Sequence, residues 1–435
     1  MRKIALTGLL AVLTGMGTLC AAEEDEEFGK FQYHMSDGVL MRGEYVEFLR
    51  GIEAPALMRS DATKADVVRT LNGIAEVGTD AVCFQLEGLS PDGASFADEA
   101  GQRLRAVMGG VNWRRMNAIC KVFGEEAPED AEFRLRATRT VAAALREAND
   151  VVYWVDGPNC EELVGAFKEL APDLVVAARE GAPVAVVTDP QAAQAAFDSG
   201  TCAVLVGTVP DAPTKMQFIA PGDAETYALL DNAYADPIES QPWTPDNSVL
   251  SEEERADGWV SLFDGKSLDG WTLTGSNKGG YAVRDGAIQW IERGGGYVRT
   301  RDRYDNFVLR LEWRIAEGGN SGISLRVPRA ARFSKIGIEF QLRGDYGAAP
   351  HKGGTGAIYD VVAPRVNASR PAGEWNELEI TLDGPKLDAV LNGEVVLDLN
   401  LDENEELRHR LRRGFITFQD HGHEMAFRKI RIKPL

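Results

Sequence analysis

Two segments with alternating polar and apolar residues carry the side chains best suited to chemistry. In an extended strand over 337–341, Glu339 and Gln341 would share one face, with apolar neighbours on the other. The same alternation in 321–326 puts Arg326 on the polar face of its own strand. If the two strands are adjacent, a carboxylate, an amide and a guanidinium converge on one surface, which suits a hydroxyl-rich sugar. The alternative is a solvated outer face with a surface ion pair.

Loop residues near these strands offer groups that can transfer protons. His351 and Asp345 share the Gly-rich loop 345–356, and His421 follows Asp420 in a second loop. A loop histidine can act as a general acid or base because its reference pKa is about 6.5. It can also ligate a metal, with an aspartate hydrogen-bonded behind it. A single loop histidine is more often structural, and the Asp-His-Gly-His spacing is a weak metal signal, so the metal ligands stay unknown.

The elements that would position these groups are short antiparallel strands. Polar and apolar residues alternate with period two after the middle of the chain, and Asn392-Gly393 between apolar pairs is a strong hairpin signal. Many short strands separated by Gly-rich turns predict a β-sandwich or jelly roll. The predicted strands are 307–315, 322–327, 336–342, 378–382, 387–391, 415–419 and 425–432.

The first half of the chain is Ala-rich and alternates apolar strands with helical segments, which indicates a parallel sheet covered on both faces. About seven such units suggest a TIM-like (β/α) barrel, with a doubly wound sheet as the alternative. Asp130 and Asn159 stand where helix N-caps belong. The predicted strands are 52–57, 80–86, 116–122, 151–155, 174–178, 184–188 and 203–209, and the helices are 64–77, 131–148, 160–170, 191–197 and 224–233.

These patterns divide the 435-residue chain into four parts. Residues 1–22 have the basic start, apolar run and small-residue end of a signal peptide, which predicts export to the periplasm or the extracellular space. The barrel-like domain spans 28–236, a Pro-rich acidic linker 237–255 and the sandwich 256–435. Few contacts are expected across such a linker. No other apolar stretch is long enough to span a bilayer.

Charge and cysteine usage narrow the function. The formal net charge of -20 argues against nucleic acid or an anionic membrane as partner and fits a neutral ligand better. After removal of the signal peptide four cysteines remain, Cys83, Cys120, Cys160 and Cys202, without C-x-x-C spacing. A zinc site is therefore not expected; buried free thiols are favoured, and disulfides after export are the alternative.

The sandwich segment also resembles a known family. It is similar in several motifs, and in their order, to the 3-keto-disaccharide hydrolase family. This resemblance implies a concanavalin A-like lectin/glucanase sandwich that acts on 3-oxo sugars. Family members often carry two acidic residues before the loop Tyr, whereas Gly344-Asp345-Tyr346 has one. The matching motifs are 259–271 (WVSLFDGKSLDGW), 320–323 (NSGI), 337–341 (GIEFQ), 355–359 (TGAIY), 371–376 (PAGEWN), 419–422 (QDHG) and 427–433 (FRKIRIK).

The implied chemistry is an elimination. A C3 ketone acidifies the C2 hydrogen, so a base can form an enolate that expels the C1 leaving group, and water then adds to the enone. This route needs a base near C2, an electrophile at the C3 oxygen and an acid at the glycosidic oxygen. Glu339, His351 and Asp345 are the candidate catalytic residues. Arg326 or a bound divalent cation could stabilise the enolate. The predicted substrate-binding residues are Arg326, Gln341, Tyr359, Trp375, Asp420 and His421.

The barrel-like half has only a faint similarity to cellulase-type barrels, and it lacks a Glu after Val155. We therefore expect a barrel that binds carbohydrate or has lost activity and does not cleave β-glucans, with an active hydrolase as the alternative and Glu87, Asp92 and Asp156 as its candidate residues. A binding module competes with the enzyme for the sandwich: a lectin-like domain that delivers the barrel to a polysaccharide. The sequence does not specify the sugar, the aglycone, hydrolase against lyase, or the oligomeric state.

Overall fold

The computed structural model describes residues 32–36, 39–43, 45–47, 49–124, 127–199, 202–210, 217–235, 239, 243–275, 280–292, 296–329 and 333–435. The predicted signal peptide and several residues of the predicted linker lie outside these ranges. No helix in the described part of the chain is long and apolar enough to cross a membrane.

The first half forms a closed barrel of eight strands, and every neighbouring pair is parallel. The strand bounds are β4 (Arg50–Glu53), β5 (Ala81–Gln85), β6 (Asn117–Lys121), β7 (Val152–Trp154), β8 (Val176–Ala178), β9 (Val184–Val187), β10 (Ala203–Val206) and β11 (Phe218–Ala220). The helices are α1 (Lys64–Glu76), α2 (Asp98–Trp113), α3 (Ala131–Leu145), α4 (Cys160–Leu170), α5 (Pro190–Asp198) and α6 (Ala224–Ala233), with a 3-10 turn at Pro55–Met58. The parallel barrel is confirmed, with one strand more than the sequence predicted. Residues 179–183, between β8 and β9, contain no helix.

The two faces of each barrel strand pack differently, as expected for strands that are apolar on both sides. Residues such as Val82 and Phe84 pack outward against the helices, whereas Cys83 and Ile119 face a separate cluster inside the barrel. Asp130 caps α3 by accepting a hydrogen bond from Phe133 N, as predicted. Asn159 occupies the N-cap of α4 in the left-handed conformation, but its side chain makes no capping hydrogen bond.

A small antiparallel sheet that the sequence did not predict packs against the barrel interior. It consists of β1 (Tyr33–Ser36), β2 (Val39–Arg42) and β3 (Tyr45–Val46). Tyr33 and Leu40 join the cluster inside the barrel. The four cysteines that follow the predicted signal peptide are buried and have free thiols.

The second half is a sandwich of two antiparallel sheets. The larger sheet has the order β14-β15-β24-β17-β20-β21-β22 with β12 beside β24, and the smaller one has the order β13-β16-β23-β18-β19. The bounds in the larger sheet are β12 (Val260–Ser261), β14 (Tyr281–Arg284), β15 (Ala287–Trp290), β17 (Phe307–Ile315), β20 (Asn376–Asp383), β21 (Lys386–Leu391), β22 (Glu394–Asn400) and β24 (Met425–Pro434). Those in the smaller sheet are β13 (Trp271–Gly275), β16 (Gly296–Thr300), β18 (Asn320–Val327), β19 (Ile338–Arg343) and β23 (Phe415–Gln419).

The core lies between these two sheets, where every second residue of each strand is apolar. Phe418 of the smaller sheet stacks on Phe427 of the larger one, with ring centroids 3.9 Å apart. The Asn392-Gly393 turn joins β21 to β22 with φ of 52° and 87°, the positive values that a tight two-residue hairpin needs.

The expectation of few contacts between the two halves is wrong. Asp231 at the end of α6 accepts hydrogen bonds from Arg303 (2.6 Å) and Arg329 (3.1 Å) of the sandwich. Asn72 of α1 donates to the carbonyl oxygen of His409 at 2.8 Å. Part of the predicted linker is also ordered, as a 3-10 turn at Asn247–Val249 and a short helix at Glu252–Ala256.

Candidate functional site

The smaller sheet has one apolar and one polar face. Its register pairs Glu339 with Ser324 and Gln341 with Gly322, and Ser324 pairs with Thr417 on the far side. Directly paired residues in an antiparallel sheet point to the same face. We call the resulting surface the polar face; it consists of Thr272, Thr274, Tyr297, Arg299, Gly322, Ser324, Glu339, Gln341, Thr417 and Gln419.

Glu339 lies on β19, the outermost strand of the smaller sheet, and is only 3% exposed. A methyl group placed on Gly322 would lie 2.8 Å from Oε1 of Glu339 and 3.1 Å from Oε1 of Gln419. The two side chains therefore meet over a residue that has none of its own. A larger residue at 322 would push this carboxylate out of place.

Several polar atoms around Glu339 are buried without a hydrogen-bond partner among the described residues. They are Oε1 of Gln341 and of Gln419, Oγ of Ser324 and Oγ1 of Thr417. The amide nitrogen of Gln341 donates to Asn320 Oδ1 at 2.8 Å, whereas its amide oxygen accepts no hydrogen bond from the described residues. Buried acceptors without donors are costly unless water or a ligand supplies the hydrogen bond. Sugar hydroxyl groups are donors of the required kind.

Tyr359 extends the polar face at its edge. The segment 356–359 runs beside β19, where Tyr359 N donates to Glu339 O at 3.0 Å and Gln341 N donates to Ala357 O at 2.9 Å. Tyr359 therefore stands opposite Glu339 and shares its side of the sheet. Three of the predicted site residues, Glu339, Gln341 and Tyr359, therefore lie on the same face of the sheet.

Two cations border this group, and the sequence analysis missed both. Lys335, which is 5% exposed, lies 5.7 Å from the centre of the Tyr359 ring and contacts Asp360 at 2.9 Å. Arg410 donates to the carbonyl oxygens of Ser334 and Gly337. Burial lowers the pKa of Arg410 to about 10, and the charges of Glu406, Glu339 and Asp360 oppose that shift. Glu339 therefore lies close enough to Arg410 for the two charges to interact.

Asp345 and His351 meet in the loop after β19. Asp345 accepts hydrogen bonds from Thr355 N (3.0 Å), Thr355 Oγ1 (2.7 Å) and Asn367 Nδ2 (3.2 Å). A methyl group on Gly354 would lie 2.9 Å from His351 Nε2 and 3.1 Å from Asp345 Oδ2. The Asp345 carboxylate thus fixes the loop, while His351 is exposed at its rim. This arrangement suits Asp345 as a positioning residue and leaves His351 accessible for proton transfer.

Asp420 and His421 lie at the end of β23, beyond Gln419. Asp420 accepts hydrogen bonds from Trp290 Nε1 at 3.0 Å and Gly422 N at 2.7 Å. It therefore ties this loop to a strand of the larger sheet and is 7% exposed. His421 is exposed in the loop. These two residues border the site without sharing the face of Glu339.

Arg326 and Trp375 were assigned to this surface, and the structure places both elsewhere. The register of β18 shifts between Ser324 and Val327, and Arg326 adopts a φ of 51° at this bulge. Its guanidinium consequently turns away and donates to Asp305 O, Gly384 O and Asn306 Oδ1. Bulges commonly redirect a side chain in this way.

Trp375 packs on the outer side of the larger sheet. Arg314 and Arg428 lie over its ring at 5.0 Å and 3.9 Å. In β17, the odd-numbered residues are buried in the core and Arg314 belongs to the outward set. Trp375 is therefore a cation–π anchor on the surface opposite to the core, and it cannot hold a sugar over Glu339.

The barrel covers part of the surroundings of the polar face. Glu239 of the predicted linker, which follows the barrel, accepts hydrogen bonds from Arg299 of the polar face and from Arg329. Trp113 at the end of α2 lies 3.9 Å from Lys335 Nζ. A residue of the barrel thus contacts the same lysine that borders Tyr359. No sequence signal indicated this contact because the two residues are far apart along the chain.

No cluster of three or more His, Cys, Asp or Glu side chains suited to a metal ion occurs among the described residues.

The sandwich is similar to a described domain family. Residues 258–433 match the 3-keto-alpha-glucoside-1,2-lyase-like domain family. A 3-keto-disaccharide hydrolase of Bacteroides thetaiotaomicron is 27% identical over 230 residues, which cover 41% of this chain and 79% of that protein. A crystal structure of a "putative glycosyl hydrolase" from Parabacteroides distasonis is 29% identical, with a TM-score of 0.38, and covers 43% of this chain and 98% of that one. A second structure from that organism, with the same description, is 24% identical with a TM-score of 0.37. The family match lies within the sandwich and includes no residue of the barrel.

Proposed function

We propose that the sandwich cleaves the glycosidic bond of 3-keto-glycosides by abstraction of the C2 proton. The observation that carries this proposal is the position of Glu339, a buried carboxylate among acceptor oxygens that have no partner in the described residues. The domain match and the name of the Bacteroides relative support the substrate class.

The reaction balances without a redox partner. The base takes the proton from C2, and the C2–H electron pair forms an enolate with the C3 carbonyl. Collapse of the enolate breaks the C1–O bond, and an acid protonates the departing aglycone oxygen. Water then adds at C1 and a proton returns to C2, which gives the free 3-keto sugar. If water addition is omitted, the same site acts as a lyase.

We assign the C2 base to Glu339. A ligand resting on the polar face would lie over Glu339, and Gln341 and Gln419, which both lie beside Gly322, would accept hydrogen bonds from its sugar hydroxyl groups. General-base catalysis by a positioned group contributes about 100- to 10,000-fold. The charge of Glu339 in turn favours the protonated form of Arg410, so the base and a cation lie close together.

Arg326 points away from this face, so another group must stabilise the enolate oxygen. Lys335 is suited to this role, since it is buried and borders Tyr359. A bound divalent cation remains the alternative. Tyr359 and the exposed His351 are the candidate acids for the departing oxygen, because both can donate a proton at the edge of the polar face.

The competing function is carbohydrate binding without cleavage. The hydrogen bonds that Asp345 accepts from Thr355 favour binding without cleavage, because they fix a loop and engage one of the three predicted catalytic groups. Amide and hydroxyl groups without partners would serve a lectin as well as an enzyme.

The two functions separate in one assay. The full chain is incubated with a 3-keto-glucoside that carries a chromogenic aglycone, and with the unoxidised glucoside as control, each with and without chelator. We expect release only from the keto sugar. Saturable binding of the keto sugar without release would favour the lectin, and equal release from both sugars would contradict the C2 route. Loss of release with chelator would assign the enolate to a metal ion instead of Lys335.

Residues 1–22 support the further proposal that the protein is exported. Cell fractionation with an antibody tests this, and a mature protein that keeps residues 1–22 in the cytoplasm would contradict it.

A further inference from the structure

The interior of the barrel changes character toward the carboxyl ends of its strands. Deeper inside, the inward-facing residues form an apolar cluster that includes Cys83, Ile119, Val152, Val184, Val204 and Ile219. Such branched apolar side chains are what normally fills a closed parallel barrel. Cys83 lies at the upper limit of this cluster, and burial raises the pKa of its thiol.

At the carboxyl ends, polar side chains replace this packing on three successive strands. Strand β4 ends with Glu53, β5 with Gln85 and β6 with Lys121. Ile52 packs outward against the helices. Side chains alternate along a strand, so Gly51 and Glu53 on either side of it face into the barrel. Gln85 and Lys121 pair directly and therefore point the same way. Charged groups inside a barrel are costly unless they serve a ligand or each other.

These residues line a cavity of about 610 Å³. Glu87 and Arg59 complete its polar wall, and Cys83 lies at its base. We call this cavity the barrel mouth. Its volume lies within the range of small-molecule sites, about 300–1,000 Å³. The location matches the general rule that barrel enzymes and binding proteins place their sites at the carboxyl ends of the strands.

The barrel mouth is held in place by its neighbours. The ammonium group of Lys121 lies 4.7 Å from the centre of the Trp154 ring, which fixes its direction. Trp154 is 6% exposed, and its indole nitrogen is buried without a hydrogen-bond partner among the described residues. Asp156, one residue beyond Val155, pairs with Arg179 at 2.8 Å, and Asp92 is exposed in a turn where it bonds Ser90. Of the three barrel residues that the sequence suggested, only Glu87 lines the cavity.

We propose that the barrel mouth is a second binding site, for a neutral polyhydroxylated ligand of sugar type. The Arg59 guanidinium is paired with Asp61 at 3.0 Å, so the carboxylates of Glu53 and Glu87 face one unshared cation, Lys121, and the site has no excess positive charge to attract a phosphate. Carboxylate and amide oxygens accept from hydroxyl groups, and the ammonium donates to them. This site is independent of the reaction proposed for the sandwich.

The test is calorimetric titration of the full chain with three monosaccharide probes of similar size: neutral glucose, anionic glucuronate and cationic glucosamine. We expect saturable heat with glucose only. Lys121→Met and Glu53→Gln should each weaken binding at least about tenfold, because each removes a hydrogen bond to a charged group. Lys64→Met and Glu132→Gln, at exposed positions on the barrel helices, are matched controls that should bind like the wild type.

Hydrogen exchange read by mass spectrometry then locates the bound probe. Protection of peptides that contain 83–87 and 119–123 supports the barrel mouth. Protection confined to peptides of 335–360 places the sugar on the sandwich and overturns the proposal, as does unchanged affinity in folded Lys121→Met and Glu53→Gln. Lys121→Gln replaces Lys121→Met if the latter fails to fold. Preference for glucuronate or glucosamine overturns the ligand class.

Discussion

Replacing Glu339 with Gln tests the role of the carboxylate with almost no change in shape. The glutamine keeps the volume that packs over Gly322, where Oε1 of Glu339 lies 2.8 Å from the position of an added methyl group. It loses the negative charge and the ability to accept the C2 proton. We expect the rate of aglycone release to fall by about 100- to 10,000-fold, equivalent to about 3–5 kcal/mol in the activation free energy.

The effect on stability should be much smaller. Arg410 keeps its hydrogen bonds to Ser334 O and Gly337 O, and the charges of Glu406 and Asp360 still favour its protonated form. A loss of about 1 kcal/mol would shift the melting temperature by about 2–4 °C in a domain of this size. Glu377→Gln, on an exposed position of the larger sheet, is the matched control and should change neither quantity.

Two measurements separate catalysis from structure in this variant. Steady-state release of the aglycone gives the rate, and a melting curve gives the stability. Wild-type reaction in heavy water should also place deuterium at C2 of the product, since the enolate is protonated from solvent or an exchanged base. An unchanged rate in Glu339→Gln, or product without deuterium at C2, would refute the assignment of Glu339 as C2 base.

Three further predictions concern positions that the structure makes sensitive. Gly322→Ala should lower the rate at least about tenfold by displacing Glu339, whereas Gly165→Ala, where an added methyl group meets nothing within 4 Å, should not affect activity. Burial, followed by the charge of Glu47, raises the pKa of Asp80 to about 7 from 3.8, so the stability it confers is complete below about pH 4 and lost as the pH rises through 7. Asp80→Asn should therefore raise the melting temperature more at pH 8 than at pH 5, and the opposite order would contradict the buried-carboxylate account. Glu239→Gln should speed proteolytic cleavage between the two halves relative to Glu252→Gln, because Glu239 accepts hydrogen bonds from Arg299 and Arg329; equal cleavage rates would count against these contacts.

The alternation of polar and apolar residues predicted which strand residues share the polar face, but not which residues border it. Glu339 and Gln341 follow the strand period, so their shared face was readable from the sequence. Arg326 fits the same period in the sequence, but the bulge after Ser324 turns its side chain away from the polar face. A single sequence contains no clear signal for such a bulge. Lys335 and Arg410 lie outside the regular strands, where neither periodicity nor turn residues indicate a direction.

The barrel shows the same limit. Strong apolar strands such as β5 and β6 were predicted within a residue or two, but the three-residue strand β11 was missed. Helix α2 was also missed, because Gly101, Gly109 and Gly110 lower its helix propensity. Its formation depends on packing, since Leu104, Val107 and Val111 are buried against the barrel. Tertiary contacts therefore decided an element that local preference disfavoured.

The contact between α2 and the sandwich affects a residue of the proposed chemistry. Trp113, at its last turn, lies 3.9 Å from Lys335 Nζ, and Lys335 in turn lies 5.7 Å from the centre of the Tyr359 ring. Glu239 holds Arg299, which belongs to the polar face itself. The Glu239 contact acts on a part of the polar face three strands from Glu339. The Trp113 contact, in contrast, makes the position of Lys335 depend on the barrel as well as the sandwich. A sandwich produced without the barrel would lose the ring that covers this ammonium group. Its polar face would keep Glu339 and Gln341, but the cation proposed for the enolate would be more exposed to water, where its electrostatic effect is weaker.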